Sequence, residues 1–159
     1  MSYLKISIGI FAALAASRFI PHPPNFTSLI ALSFYVPAIL GIRYLPALIV
    51  SFIITDLVIG FHGVTFFTWG SIIVIGLGSK YFTSNIFSRI SGALSGVLVF
   101  YIVTNFGVWS VGGYGYTLQG LIACYTLGLP FLGNTLISTI LFSSIIEAII
   151  KQKVFLKKV

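Results

Sequence analysis

The residues with the clearest chemical potential lie together in the stretch SRFIPHPPNF, residues 17–26. Arg18, His22 and Asn25 offer a cation, an imidazole and an amide. The three prolines between them stiffen the backbone, because proline fixes φ and biases its predecessor away from the helical region. Side chains held on such a segment are suited to hydrogen-bonding a small molecule. Two alternatives stay open: His22 is an ordinary solvated loop histidine, and Asn25 caps the helix that follows.

Only two acidic residues accompany nine basic ones. Asp56 lies inside an apolar run, where an ionised side chain is costly unless it is paired or faces a cavity, so we hypothesise a contact between Arg18 and Asp56. Glu147 precedes Lys151 by four residues, which predicts an i,i+4 pair near a helix end. The sequence shows no nucleophile with an adjacent base and no phosphate-binding GxxxxGK[ST] loop. We therefore predict no enzyme, no catalytic residue and no cofactor.

The elements that position these residues must be membrane helices. The chain is 58% hydrophobic and 7% charged with a mean hydropathy of +1.11, whereas soluble domains are about 45–50% apolar and about 25% charged. This composition predicts an integral membrane protein with one transmembrane domain over residues 1–159. The formal charge of +7 comes from basic residues between or after apolar runs, which is typical of topology signals and not of nucleic-acid binding. The single Cys124 excludes an intramolecular disulfide and is interpreted as a small buried hydrophobe.

The apolar runs predict an all-α bundle of about six transmembrane helices. They cover approximately Leu4–Ile20, Phe26–Gly41, Leu45–Phe61, Val64–Leu77, Ile90–Val108 and Leu118–Ile150. The last run is too long for one span, and Pro130 is predicted to begin the sixth span, which leaves Leu118–Leu127 as a short re-entrant or interfacial helix. A seventh span is the alternative. The first run also resembles a signal peptide with a cleavage site near Ala15 or Ala16, but is interpreted as the first span.

Charge placement favours six spans with both termini in the cytoplasm, because lysine and arginine in short loops mark the cytoplasmic side. On that topology one group of basic residues falls inside, namely Lys5, Arg43, Lys80, Arg89, Lys151, Lys153, Lys157 and Lys158. A seventh span would place the lysine-rich tail outside. Arg18 is the exception, at the outer end of a span.

Further polar and aromatic side chains fall on the same predicted outer side. These candidate solute-binding residues are His62, Trp69, Asn105, Trp109, Tyr125 and Asn134. Together with Arg18, His22, Asn25 and Asp56 they predict an outward pocket with aromatic walls. The alternative for Trp69, Trp109, Tyr114 and Tyr116 is an interfacial aromatic belt. A metal solute is a less favoured alternative, because the histidines, Asp56 and Cys124 lack a recognised ligand spacing, and no metal site is predicted.

The first helix has a smooth face. Ala12 and Ala16 are four residues apart, a spacing that lets another helix approach closely. The face either packs inside the bundle or docks a separate membrane protein.

Several motifs resemble an uncharacterised bacterial membrane family that is itself similar to the substrate-binding S components of energy-coupling factor (ECF) transporters. They are Arg18 with PHPPNFTS at 21–28, the stretch 51–62 with Asp56 and His62, TNFGVW at 104–109, and the segments 120–125 and 130–136. This sequence departs from the family pattern at Ser28, at Tyr114–Tyr116 and at Ser138–Thr139, where Gly-Asp is expected.

The resemblance implies a subunit of the bacterial cytoplasmic membrane that captures a small nutrient, a vitamin-like solute or a metal ion from outside. It also implies docking through Ala12 and Ala16 onto a transmembrane coupling protein driven by cytoplasmic ATPases. The departure at Thr139 removes an expected acidic ligand, so this member is expected to bind another solute or to bind the same solute differently. The alternative function is a structural or oligomer-forming membrane protein without a transported ligand. The oligomeric state stays open.

Overall fold

The structure, a computed structural model, describes residues 2–156, and side chains through residue 152. Every regular element in that part of the chain is helical, and the all-α prediction is confirmed. The α-helices are α1 Tyr3–Phe19, α2 Leu29–Tyr35, α3 Leu45–Ile59, α4 Thr65–Gly78, α5 Ile86–Ser110 and α6 Leu118–Leu156. A π-helical turn, Val36–Leu40, extends α2, and short 3₁₀ turns precede α3 and follow α4. Of the tail lysines, the side chain of Lys153 and all of Lys157 and Lys158 lie outside this description.

Local chemistry explains several helix ends. Asn85 begins α5, and its side-chain oxygen accepts a hydrogen bond of 2.9 Å from the Ser88 N–H. The extended α2 and α3 each end at a glycine with positive φ, Gly41 at 97° and Gly60 at 108°, a conformation that glycine adopts without the strain of a Cβ. These turns reverse the chain between neighbouring helices.

The short α2 occupies the centre of the bundle. Within Leu29–Tyr35 all side chains except Leu32 are buried. One face of α2 belongs to a core cluster with Leu14, Leu48 and Ile72, and Phe34 on the other face packs against residues of α5. A helix that is apolar all around is stable only when neighbours cover it on every side, so α2 organises the other five helices.

The prediction that Pro130 separates two helices is wrong. Helix α6 continues through Pro130 for 39 residues. Proline removes one backbone donor, but apolar surroundings favour continuation of the helix, because each broken hydrogen bond would expose unsatisfied polar groups. There is therefore no separate re-entrant helix over 118–127.

Three helical segments are long and apolar enough to cross a membrane: Ile42–Ile59, Ile86–Ser110 and Leu118–Gln152. The other helices are shorter, with 17 residues in α1, 14 in α4, and only Leu29–Leu40 in the extended α2. Many large apolar side chains on the surface are exposed, including Leu57, Val58 and Phe66 at 62%, 71% and 80%. These features indicate a membrane protein, and three helices of the described chain are long and apolar enough to cross a membrane.

Side-chain contacts define two ends of the bundle. At one end the start of α1 meets the turn before α3, where the Tyr3 and Tyr44 rings stack with centroids 4.9 Å apart. Lys80 lies in the turn after α4. This turn contacts the π-helical turn after α2, which in turn contacts the turn before α3, so Lys80 lies at the same end. We call this the basic end. The opposite end holds Arg18, the 21–28 loop and the start of α4, and is called the polar end.

Candidate functional site

A buried ion pair joins α1 to α3 at the polar end. Arg18 Nη2 donates to Asp56 Oδ1 at 2.6 Å, and the Trp69 indole N–H donates to Asp56 Oδ2 at 2.8 Å. Arg18 Nη1 donates to the Thr55 hydroxyl and to the Phe52 carbonyl, and the guanidinium lies 4.4 Å from the centroid of the Phe52 ring. The Asp56 side chain is only 2% exposed. The hypothesised contact between Arg18 and Asp56 is confirmed.

His22 braces the proline-rich loop. Its Nδ1 lies 2.8 Å from the Pro23 carbonyl oxygen and its Nε2 3.3 Å from the Arg18 carbonyl oxygen. Only a protonated ring nitrogen can donate to a carbonyl, so His22 holds at least one of these two carbonyls. The ring is thus more than a solvated loop side chain, because it ties the loop to the end of α1.

Asn25 sits in the left-handed region at φ 61°. Asparagine tolerates this conformation better than most residues. The residue before α2 is Ser28, and α2 has no side-chain cap, so the capping alternative for Asn25 is wrong. Asn134 of α6 donates a 2.9 Å hydrogen bond to the Pro24 carbonyl, which ties the loop to α6 next to the exposed Asn25.

Two adjoining cavities open beneath this loop. Their volumes are about 290 Å³ and about 500 Å³. Both are lined by Asn25, His62, Thr68 and Phe100. The first also reaches Arg18, His22, Thr27, Phe52 and Thr135, and the second also reaches Thr104, Asn105, Tyr114, Cys124, Leu127 and Phe131. The shared lining makes them one polar chamber, with a lobe over α1 and α3 and a lobe between α5 and α6.

The threonines of the chamber were missed by sequence reasoning. Thr68, Thr104 and Thr135 each donate to the carbonyl four residues earlier, at 3.0, 2.7 and 2.7 Å. Their hydroxyl protons are therefore used, and each oxygen keeps lone pairs for another donor. Threonine is common in helices without any function, so only the folded arrangement identifies these three as lining residues.

The predicted site residues fall into three groups. Those that line the chamber are Arg18, His22, Asn25, His62 and Asn105. Those that support it from behind are Asp56, Trp69 and Asn134. Trp109 and Tyr125 line neither lobe, because they hold backbone instead: the Trp109 indole donates to the Thr117 carbonyl at 3.2 Å and the Tyr125 hydroxyl to the Ile102 carbonyl at 2.8 Å.

The chamber is electrically balanced. Arg18, the one charged side chain that lines it in the part of the chain the structure describes, is neutralised by Asp56. His62 uses its backbone to hold Thr65, through a 3.0 Å bond from its N–H and a 2.7 Å bond to its carbonyl. His62 is exposed and lines both lobes. Among the described residues no three His, Cys, Asp or Glu side chains are grouped to hold a metal ion.

The small-residue face of α1 points outward. Ala12 and Ala16 are exposed, whereas Ile10 and Leu14 are 5% and 0% exposed on the packed side. The internal-packing alternative for the alanines is therefore wrong. Docking of a partner on this face stays a prediction.

The predicted pair between Glu147 and Lys151 is wrong. Glu147 accepts two hydrogen bonds from Arg89, from Nε at 2.6 Å and from Nη2 at 2.7 Å, and a third from the Tyr35 hydroxyl at 3.0 Å. Arg89 is 58 residues away in sequence, and a two-pronged bond from a partly buried arginine is stronger than an exposed pair one helical turn away. This cluster joins α2, α5 and α6 at the basic end.

The fold and site define an all-helical protein with membrane-capable helices and a polar chamber at one end. The chain belongs to a family of unknown function, DUF6580, which matches residues 2–155. No curated protein and no solved structure matches it.

Proposed function

We propose that this protein is a membrane subunit that binds a small, uncharged organic solute in the polar chamber. The observation that carries the proposal is the chemistry of the lining: amide, imidazole and hydroxyl groups line a chamber in which Arg18, the one cation among the described lining residues, is already paired with Asp56. Ligand sites commonly combine such a few oriented polar groups with apolar walls.

The hydrogen-bond donors and acceptors that line the chamber limit the class of solute that can bind. Arg18 is held by Thr55, Phe52 and Asp56, so releasing it to a carboxylate or phosphate would leave the buried Asp56 without its cation. The threonine oxygens offer acceptors, and Asn25 offers both a donor and an acceptor. A neutral solute with N–H or O–H donors satisfies this lining, whereas an anion or a bare metal ion does not.

Aromatic walls favour a flat solute. Phe100 borders both lobes, and Tyr114 and Phe131 border the larger one. Aromatic faces pack against planar rings in offset or edge-on arrangements. The resemblance to S components points to a vitamin-like nutrient of this kind; a metal solute is weaker because of the ligand set.

We further propose that all six helices cross the membrane with the polar end outside and the basic end in the cytoplasm. Basic residues at the basic end agree with the positive-inside rule. Residues 131–152 of α6 would give a rise of about 33 Å at 1.5 Å per residue, close to the hydrocarbon thickness of about 30 Å. The preceding part of α6 would then project outward with the end of α5 and form the larger lobe. Because other helices cover the short α2, its length does not have to match the thickness of the bilayer.

As a subunit, the protein would depend on a partner for transport. The exposed Ala12 and Ala16 face suits close approach of another helix. A transmembrane coupling protein with cytoplasmic ATPases is the partner that the S-component resemblance implies. The same exposed face also favours the second candidate, an oligomer-forming membrane protein, in which a second copy covers the alanines and no solute is carried.

Cysteine labelling tests the proposal in sealed vesicles. In a Cys124→Ala background, Val64→Cys places a thiol at the larger lobe of the chamber, Tyr116→Cys in the outer loop and Ser84→Cys at the basic end. We expect a membrane-impermeant maleimide to label positions 64 and 116 from outside and position 84 from inside. A low-molecular-weight extract of the growth medium should slow labelling at 64 and leave 116 unchanged. Equal labelling from both sides, or no protection at 64, would contradict the outward binding site.

A further inference from the structure

A third cavity lies at the basic end, on the far side of the bundle from the polar chamber. Its volume is about 610 Å³, and it runs between the turn after α2 and the turn after α4. The lining residues are Pro37, Ile42, Gly76, Leu77, Gly78, Ser79, Lys80 and Tyr81. We call it the interfacial groove. Most of its wall is apolar, and Lys80 is the one charged residue among the described residues that line it.

The polar and aromatic residues of the groove meet at one corner. The Lys80 ammonium lies 4.9 Å from the centroid of the Tyr81 ring, and both side chains are exposed. Nearby, the Arg43 guanidinium lies 5.1 Å from the centroid of the Tyr44 ring, one residue beyond the groove-lining Ile42. Two cation and aromatic pairs at the end of apolar helices are typical of the membrane–water interface.

Apolar surface continues from this corner along the helices. Ile42 and Leu77 are 54% and 51% exposed, and Val74, one turn before Gly78 on α4, is 54% exposed. A ligand of the groove must therefore pair a negative group at Lys80 with a long apolar part against these side chains. A soluble anion would leave the apolar wall uncovered, and a neutral lipid would leave the Lys80 ammonium without an anionic partner.

We propose that the interfacial groove binds an anionic phospholipid, with its phosphate at Lys80 and an acyl chain along Ile42 and Leu77. Charge complementarity selects this occupant, because the bundle gathers its basic residues at this end while the bilayer supplies anionic headgroups there. The site is independent of the solute chamber. It would anchor the turns after α2 and α4 to each other and set the depth of the bundle in the bilayer.

Native mass spectrometry after delipidation and add-back tests this site. Protein is mixed with phosphatidylglycerol, phosphatidylcholine of the same chains, or glycerol phosphate, and bound mass is counted. We expect phosphatidylglycerol to be retained over phosphatidylcholine and glycerol phosphate not to be retained. Lys80→Gln should lower phosphatidylglycerol occupancy about fivefold, the effect of one basic residue near an anionic surface. Lys5→Gln, at the same end but outside the groove, should leave it unchanged.

A second pair of variants fills the groove without changing charge. A Cβ at Gly78 or at Gly70 meets no atom of the described residues within 4 Å, so both positions on α4 accept a side chain. Gly78→Leu occupies the groove and should displace the lipid, whereas Gly70→Leu, outside the groove, should not. Equal retention of both lipids, equal losses in the Lys80 and Lys5 variants, or retention in Gly78→Leu would overturn the proposal. Binding of glycerol phosphate at the same level would identify a soluble-phosphate site instead.

Discussion

Replacing Asp56 with asparagine removes the countercharge of Arg18 at the junction of α1, α3 and α4. The Asp56 carboxylate is 2% exposed and accepts from Arg18 at 2.6 Å and from Trp69 at 2.8 Å. An asparagine side chain keeps one oxygen and presents an NH₂ group to a donor in place of the other. Breaking a buried ion pair on one side costs about 3–5 kcal/mol, because the remaining charge stays buried without compensation.

The expected effect is a fall in melting temperature of about 6–20 °C for Asp56→Asn, since about 1 kcal/mol corresponds to about 2–4 °C in a protein of this size. Arg18→Met should cost a similar amount. The double variant should cost less than the sum of the two, with a coupling energy of about 0.5–3 kcal/mol, because it buries no charge. Thermal unfolding in detergent gives the melting temperatures of the wild-type protein, the two single variants and the double variant. Ser95→Ala, on an exposed face of α5, is the neutral control.

Trp69→Phe tests the hydrogen bond from Trp69 to Asp56 while leaving the charges of Arg18 and Asp56 in place. It removes one donor to the carboxylate, so its cost should be about 1.5–3 kcal/mol and smaller than that of Asp56→Asn. Exchanging Arg18 and Asp56 should rescue stability only in part, because the introduced arginine would face the Trp69 donor. Strictly additive losses in the double variant, or a loss below about 1 kcal/mol for Asp56→Asn, would refute the idea that this pair is a buried and coupled structural unit.

Three further changes test other parts of the structure. Gly92→Ala should destabilise by about 1–3 kcal/mol in thermal unfolding, because its Cβ would lie 2.6 Å from the Phe82 Cβ; Gly133→Ala, where a Cβ meets nothing within 4 Å, should be neutral or stabilising. Thr139→Val should raise stability by about 1 kcal/mol, because the buried Thr139 hydroxyl has no hydrogen-bond partner among the described residues; a loss of stability would show that the hydroxyl is bonded. Asn25→Gly should leave the melting temperature unchanged, because glycine accepts φ 61°, but should lower solute retention in a binding assay; unchanged retention would remove Asn25 from the site.

The polar end was largely predictable because membrane burial restricts charged residues strongly. The charges of Arg18 and Asp56 both required a partner within the membrane, and the prolines end the helix next to Arg18. The association of Arg18 with Asp56 could therefore be predicted from the sequence. The same reasoning failed for Glu147, because its nearest basic neighbour in sequence is not its partner in space. A long-range pair with Arg89 depends on how α5 and α6 pack, which local spacing does not encode.

The larger lobe of the chamber was also beyond sequence reasoning. It exists because α6 continues through Pro130 and packs against the end of α5. A proline inside an apolar run is compatible with either a break or a continuous helix, and tertiary packing decides between them. The lining threonines share this limitation, because each forms an ordinary bond to its own helix.

Native mass spectrometry of gently extracted protein asks whether the polar chamber holds a solute. We expect wild-type protein and Ser95→Ala to carry a small, uncharged organic molecule. The double variant Asn25→Gly with His62→Ala, folded to the same melting temperature, should lose it. A bare wild-type protein across growth conditions, or a bound mass that the double variant retains, would contradict solute capture in the polar chamber.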